Sequence, residues 1–135
     1  MHRERIAELR PPIAIDANHF ARLSALTSLT GGPVMDVCEY LREELDRAYV
    51  VPAEKLRPDI VSLGSQVEFR DEQAGKVQQI TLVYPLDADI TRRRVSVLSP
   101  VGAALLGLSV NQTISFHTGT GERRELTVLK VRRAI

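Results

Sequence analysis

The hydrophobic period of this chain changes once, just beyond Pro58, and that change limits the fold more than any other feature. Ahead of it, Val34, Val37, Cys38, Leu41, Leu45 and Ala48 recur at helical spacing, with Arg42, Glu43, Asp46 and Arg47 on the opposite face. Phe20, Leu23 and Leu26 mark a second apolar face behind Asp16, a side chain suited to an N-cap. Beyond it, Val67/Phe69, Ile80/Leu82/Tyr84, Val95/Val97, Ile114/Phe116 and Leu126/Val128 alternate with polar residues, the period of a half-buried strand. Helices first and strands afterwards, without interleaving, predict an α+β fold.

The punctuation refines this division. Pro11 and Pro12 keep residues 10–15 extended, because neither can sit inside a helix. The first helix is expected from Asp16 to about Leu29, about 21 Å at 1.5 Å per residue. Thr30–Pro33 (TGGP) breaks it, and the second helix should fold back as an antiparallel hairpin, a short coiled coil. Val50–Pro58 ends the hairpin and links onward. Turns at Asp71–Gly75, Pro85–Asp89 and Gly119–Gly121 then separate about five strands of a mostly antiparallel sheet. One short helix is expected within the sheet region, over Val101–Leu108, marginal alone and held by packing. The expected organisation is an extended segment (1–15), a hairpin (16–52) and a sheet domain (53–135).

Composition excludes several classes. At 135 residues, 44% hydrophobic and 26% charged, the chain has the make-up of one globular domain or one small domain with an appendage. A single cysteine, Cys38, rules out an internal disulfide and a cysteine-based zinc site, and its place on the buried stripe reads as core. No apolar run approaches the ~20 residues of a membrane span. The opening MHRERIAELRPP lacks the apolar stretch of a secretory leader, so a cytoplasmic protein that does not engage membranes is expected. Net charge is +1, but residues 16–55 carry seven acids against four bases and residues 56–135 eleven bases against eight acids. An acidic front and a basic back suggest two surfaces with different partners.

Little in the chain resembles reaction chemistry. His2, His19 and His117 share no short metal-binding spacing with one another or with an acid on one predicted face. Ser99 lacks the glycine-flanked elbow of a serine hydrolase and reads as a turn or cap residue before Pro100. No glycine-rich phosphate loop is present. No cofactor and no resident metal are expected. Thr91–Val95 (TRRRV), with Arg123/Arg124 and Arg132/Arg133, suggests a basic patch. With only three Tyr, three Phe and no Trp to stack on bases, a solvated or protein-facing surface is favoured over a specific nucleic-acid site. Asp36 and Glu39, three apart in the first turn of the second helix, form the sharpest acidic pair. The helix dipole alone favours acids there; as metal carriers they need further ligands from another molecule.

The segments RPPIAI, LREELDRAYVVP, LRPDIVSLGSQVEFRD, ITLVYP and SVLSPVGAALLGLSV, spanning Arg10 to the end, together resemble the Gre family of bacterial transcription factors. Within it they are most similar to the branch of regulators of nucleoside diphosphate kinase. The resemblance implies a hairpin followed by a domain of FK506-binding-protein-like fold, with one short helix. It implies a non-enzymatic monomer that meets RNA polymerase through Leu98, Ser99 and Pro100, and an indirect link to nucleoside diphosphate kinase. Asp36 and Glu39 match the acidic tip that Gre cleavage factors push down the polymerase secondary channel. Two positions depart from the family pattern: Leu98 stands where an acid commonly precedes Ser-Pro, and Asn111-Gln112 replaces a Gly-Asp turn. The hairpin is also about half the family length, too short to carry its tip to the polymerase active site. The resemblance therefore implies a competitor of the longer factors; transcript-cleavage stimulation and peptidyl-prolyl isomerisation stand as the alternatives.

Overall fold

The computed structural model describes residues 10–28, 35–117 and 121–133, apart from the side chains of residues 35 and 36. The chain is a mixed α+β protein, with three α-helices among the described residues. Strand β1 (Ala14–Asp16) leads into α1 (Ala17–Leu26), followed by α2 (Met35–Arg47) and β2 (Tyr49–Val51). The sheet strands are β3 (Gln66–Asp71), β4 (Lys76–Val83), β5 (Arg94–Ser96), β6 (Thr113–His117) and β7 (Arg123–Arg132), with α3 (Pro100–Leu105) between β5 and β6.

Local chemistry accounts for the helices. The Asp16 carboxylate accepts the Asn18 N–H at 2.7 Å, the expected N-cap. α1 ends three residues earlier than its apolar spacing predicts. Thr27 turns its N–H back on the Leu23 and Ser24 carbonyls, and its hydroxyl donates to Ser24 O at 2.7 Å. The predicted tip, Thr30–Pro33, lies outside the described residues. α1 and α2 meet through buried Leu23, Cys38, Leu41 and Leu45, with the Cys38 thiol donating to Leu26 O at 3.6 Å and the Arg42 guanidinium to Thr27 O. Cys38 is therefore a core residue, as its stripe predicts.

The five strands run in the order β5-β4-β3-β7-β6, antiparallel except for the parallel β4–β5 pair. Val67, Phe69, Ile80, Leu82, Ile114, Phe116, Leu126 and Val128 all face inward and are buried. α3 touches both β5 and β6, close to the two sides of the sheet, so the sheet curls around it. Every residue from Gly102 to Leu108 is buried. The helix starts one residue before the predicted span and stops three residues short of it, because Leu106 is extended and Gly107 has φ +83°.

That stop joins the two halves of the molecule. A Cβ on Gly107 would sit 2.7 Å from Ile13 Cβ, closer than carbon atoms approach. Ala14 N–H donates to Gly107 O at 3.3 Å, and Gly107 N–H to Val61 O at 2.9 Å. β1 in turn pairs in parallel with β2, in register Ile15↔Val50, a ribbon the sequence did not reveal. Ile13, Ile15 and the hairpin stripe belong to one hydrophobic core with the sheet residues. Buried Glu44 adds a polar clamp. It accepts from Arg10 at 3.3 Å and Arg47 at 2.7 Å, while Arg47 also donates to Pro11 O at 2.6 Å.

Two stability predictions follow from this packing. Leu41, fully buried between the helices, should cost about 2–5 kcal/mol when truncated to Ala, read from urea unfolding. Glu44→Gln should cost about 1–3 kcal/mol, less than breaking a wholly buried pair, because both arginines remain about a third exposed.

Candidate functional site: the Ser-Pro turn and the hairpin

The turn between β5 and α3 is fixed by its own hydrogen bonds. Ser99 N–H and Ser99 Oγ both donate to Ser96 O, at 3.0 and 2.7 Å. Ser99 Oγ then accepts Gly102 N–H at 3.0 Å, capping α3, and Leu98 N–H donates to Ser96 Oγ at 2.9 Å. Pro100 occupies the first turn of the helix, where its missing N–H has no helical partner to lose. Gly102 is required for a separate reason: a Cβ there would lie 2.1 Å from Ser96 O. The Ser96 carbonyl is thus walled in by the residues that cap and start the helix.

The three residues singled out from sequence have unequal places. Leu98 is 7% exposed and packs into the core. Ser99 is half-buried, and its hydroxyl is engaged within the turn. Pro100 is exposed and is the side chain the turn presents. Asn111 takes φ +76°, the left-handed conformation for which asparagine is suited, and Gln112 Oε1 accepts Ser109 N–H at 2.9 Å. The Asn-Gln pair therefore makes its turn without glycine.

At the hairpin, Glu39 is exposed on α2 and Asp36 lies in the first turn of the same helix. The Asp36 side chain is outside the described residues, and with it the geometry of the pair. Among the described residues, no three His, Cys, Asp or Glu side chains converge as metal ligands do. At ten and thirteen residues, α1 and α2 are about 15 and 20 Å long.

One contact between hairpin and sheet escaped the sequence reading. His19 Nδ1 lies 2.7 Å from the Tyr84 hydroxyl, and the Arg22 guanidinium stacks 3.7 Å from the centre of the Tyr84 ring. Burial raises the Tyr84 pKa above the usual tyrosine value, and the Arg22 charge pulls the other way. His19 thus has a structural partner, and its place one turn before Arg22 on α1 is the only signal that sequence offered. Phe69, Tyr84 and Phe116 are all buried in the core. The arginines divide as well: Arg123 pairs with Glu125, Arg124 with Asp71, and Arg133 donates to the Leu56 and Arg57 carbonyls. No helix of the described residues is long and apolar enough to cross a membrane.

A short helix wrapped by a curled sheet, a capped Ser-Pro turn and an appended hairpin define a Gre-type architecture. The C-terminal model of the transcription elongation factors GreA/GreB matches residues 56–133. The chain belongs to the GreA/GreB family. It is 35% identical over 122 residues to a regulator of nucleoside diphosphate kinase of Escherichia coli, covering 90% of both chains. It is 37% identical over 92 residues to a transcription elongation factor GreA of Chloroflexus aggregans, covering 68% of this chain but 58% of that one. Among solved structures, a prokaryotic transcription elongation factor GreA/GreB from Nitrosomonas europaea superposes with a TM-score of 0.71, at 34% identity, covering 91% of this chain and 99% of that chain.

The turn geometry predicts a sign. Alanine favours a helix over glycine by about 1 kcal/mol, so Gly102→Ala would stabilise an unobstructed helix. Here it should destabilise by about 1–3 kcal/mol, because the Ser96 carbonyl must move. Ser99→Ala should cost about 1 kcal/mol through the lost cap. Thermal unfolding of both variants checks the pair.

Proposed function

We propose that this protein is a non-enzymatic, cytoplasmic transcription regulator that binds RNA polymerase near its secondary channel and competes there with longer Gre-type factors. The observation that carries this reading is the Ser99-Pro100 turn. Hydrogen bonds and the close approach at Gly102 hold it rigid, and Pro100 is offered to solvent. A surface already fixed before binding loses little conformational entropy on docking. Leu98, Ser99 and Pro100 form the contact in this account. Leu98 contributes by anchoring the turn from beneath, which suits an apolar residue at a position where the family commonly has an acid.

The hairpin supports competition over cleavage. Helices of about 15 and 20 Å fill the entrance side of a channel without carrying Asp36 and Glu39 to a distant catalytic metal. Asp36 then serves the helix N-terminus, by about 0.3–1 kcal/mol through the dipole, while Glu39, expected in the first turn, is the fifth residue of α2 and stands past it as an exposed acid. We read residues 16–52 as a short coiled-coil hairpin and residues 53–135 as a domain of FK506-binding-protein-like class, with residues 1–15 the extended segment ahead of them. The protein acts as a monomer, with no cofactor, resident metal or specific nucleic-acid site. Any influence on nucleoside diphosphate kinase, the subject of a relative's name, is an indirect consequence of transcription. Burial of Phe69, Tyr84 and Phe116 disfavours an isomerase pocket.

Two experiments test the proposal. Pro100→Ala should weaken binding to core RNA polymerase while leaving the thermal midpoint within a few degrees, as a surface change does. In backtracked transcription complexes the protein should stimulate no transcript cleavage and should reduce cleavage by a true Gre factor as the ratio of the two rises. Asp36→Ala/Glu39→Ala should inhibit as well as the parent. Cleavage seen with the parent and lost in the double variant would mean that the tip reaches the active-site metal.

A further inference from the structure

The outer face of the sheet is charged in a way the docking turn does not use. β3 and β4 turn Val67, Phe69, Ile80 and Leu82 inward, which leaves Gln66, Glu68, Gln79 and Thr81 on the other side. Two hollows, of about 240 and 150 Å³, adjoin there and share Gln66 and Gln79. Arg92 and Arg93 line the first, Lys130 and Arg132 the second. All four cations are exposed, and among the described residues Arg93, Lys130 and Arg132 have no carboxylate within ion-pair distance.

Arg93 also has φ +56°, left-handed backbone that costs a non-glycine residue about 1 kcal/mol or more. Glycine there would relieve the backbone, yet the position carries a guanidinium that lines the first hollow. Beside it the same connection holds out Leu86 and Ile90, 93% and 89% exposed. Both sit in ordered 3-10 turns, the second capped by Asp89, whose carboxylate accepts from Thr91 N and Oγ1 at 3.1 and 2.7 Å.

We propose that this face, from the Ile90 turn across Gln79 and Gln66 to Lys130 and Arg132, binds an acidic protein segment that carries an aliphatic anchor. The cations fit carboxylates, the glutamine amides fit a peptide backbone, and exposed Ile90, whose carbonyl accepts the Arg93 N–H, fits an apolar side chain. Nucleic acid fits less well. The face offers no aromatic ring for a base, and Glu68 stands among the cations. An anionic membrane fits less well too, because Asp87 and Asp89 lie between the two exposed aliphatics and would be pressed against the headgroups.

The test measures fluorescence anisotropy of the intact protein with a labelled peptide of repeated Glu-Glu-Leu triplets. A Glu-Glu-Ser peptide, a single-stranded oligonucleotide and anionic phosphatidylglycerol vesicles serve as the other arms. The Glu-Glu-Leu peptide should bind tightest of the four, and more weakly as salt rises. Arg93→Gly with Lys130→Gln should weaken it by about fivefold or more, with the thermal midpoint of Arg93→Gly unchanged or higher. Ile90→Ser should reduce the advantage of the leucine peptide over the serine one. Failure of the peptide to bind, equal binding by parent and variants, or tighter binding of the oligonucleotide or vesicles would each overturn the proposal.

Discussion

The close crossing of the N-terminal segment over Gly107 is the contact on which the rest of the molecule depends. With no side chain at Gly107, the Ile13 backbone and side chain come down onto the end of α3, and Ala14 bonds to the Gly107 carbonyl. This aligns β1 to receive β2, which returns the hairpin to the sheet. The Glu44 clamp then holds Arg10 and Pro11 against α2. Hairpin and sheet thereby share one core, and the hairpin's direction is set by the domain to which it is attached. A short hairpin gains from this more than a long one would, since two helices of ten and thirteen residues are marginal without tertiary packing.

The same helix α3 serves the other end of the account. Its C-terminal end carries the crossing, and its N-terminal end carries the Ser-Pro turn. Gly102 and Gly107 are five residues apart, and each admits a close backbone approach, one from Ser96 and one from Ile13 and Ala14. The greasy run between them is buried throughout and bears no chemistry of its own. It is the pin through which an exposed turn and an appended hairpin are held in one rigid frame. For a protein proposed to act by occupying a site on a larger machine, fixed geometry is the useful property.

Much of this was legible in the sequence, because apolar period reports burial directly. Leu23, Cys38, Leu41 and Leu45 on the helices, and the paired inward residues of β3, β4, β6 and β7, are where the period places them; of the β5 pair, Val95 is half-buried and Val97 lies just past the strand. Asp16 and Ser99 cap as their residue types predict. What escaped detection depends on partners distant in sequence. Tyr49–Val51 has no alternating pattern, with two of its three residues exposed, and is a strand only because β1 lies beside it. The His19–Tyr84 pair spans 65 positions. Leu98 precedes the turn in sequence, yet the tight bonds at Ser96 send its side chain into the core. Periodicity likewise could not divide the arginines, since Arg124 is neutralised by Asp71 from a strand more than fifty residues away.

The central claim is that an exposed, preformed turn touches RNA polymerase while the hairpin tip does not reach its catalytic metal. Site-specific photo-crosslinking to core polymerase tests it most directly, with the crosslinker placed in turn at position 100 and at position 39. The account predicts a crosslink from position 100 to the rim of the secondary channel, and none from position 39 to residues around the active-site metal. Crosslinks from position 39 at the active site, or none from position 100 while the protein is bound, would contradict it.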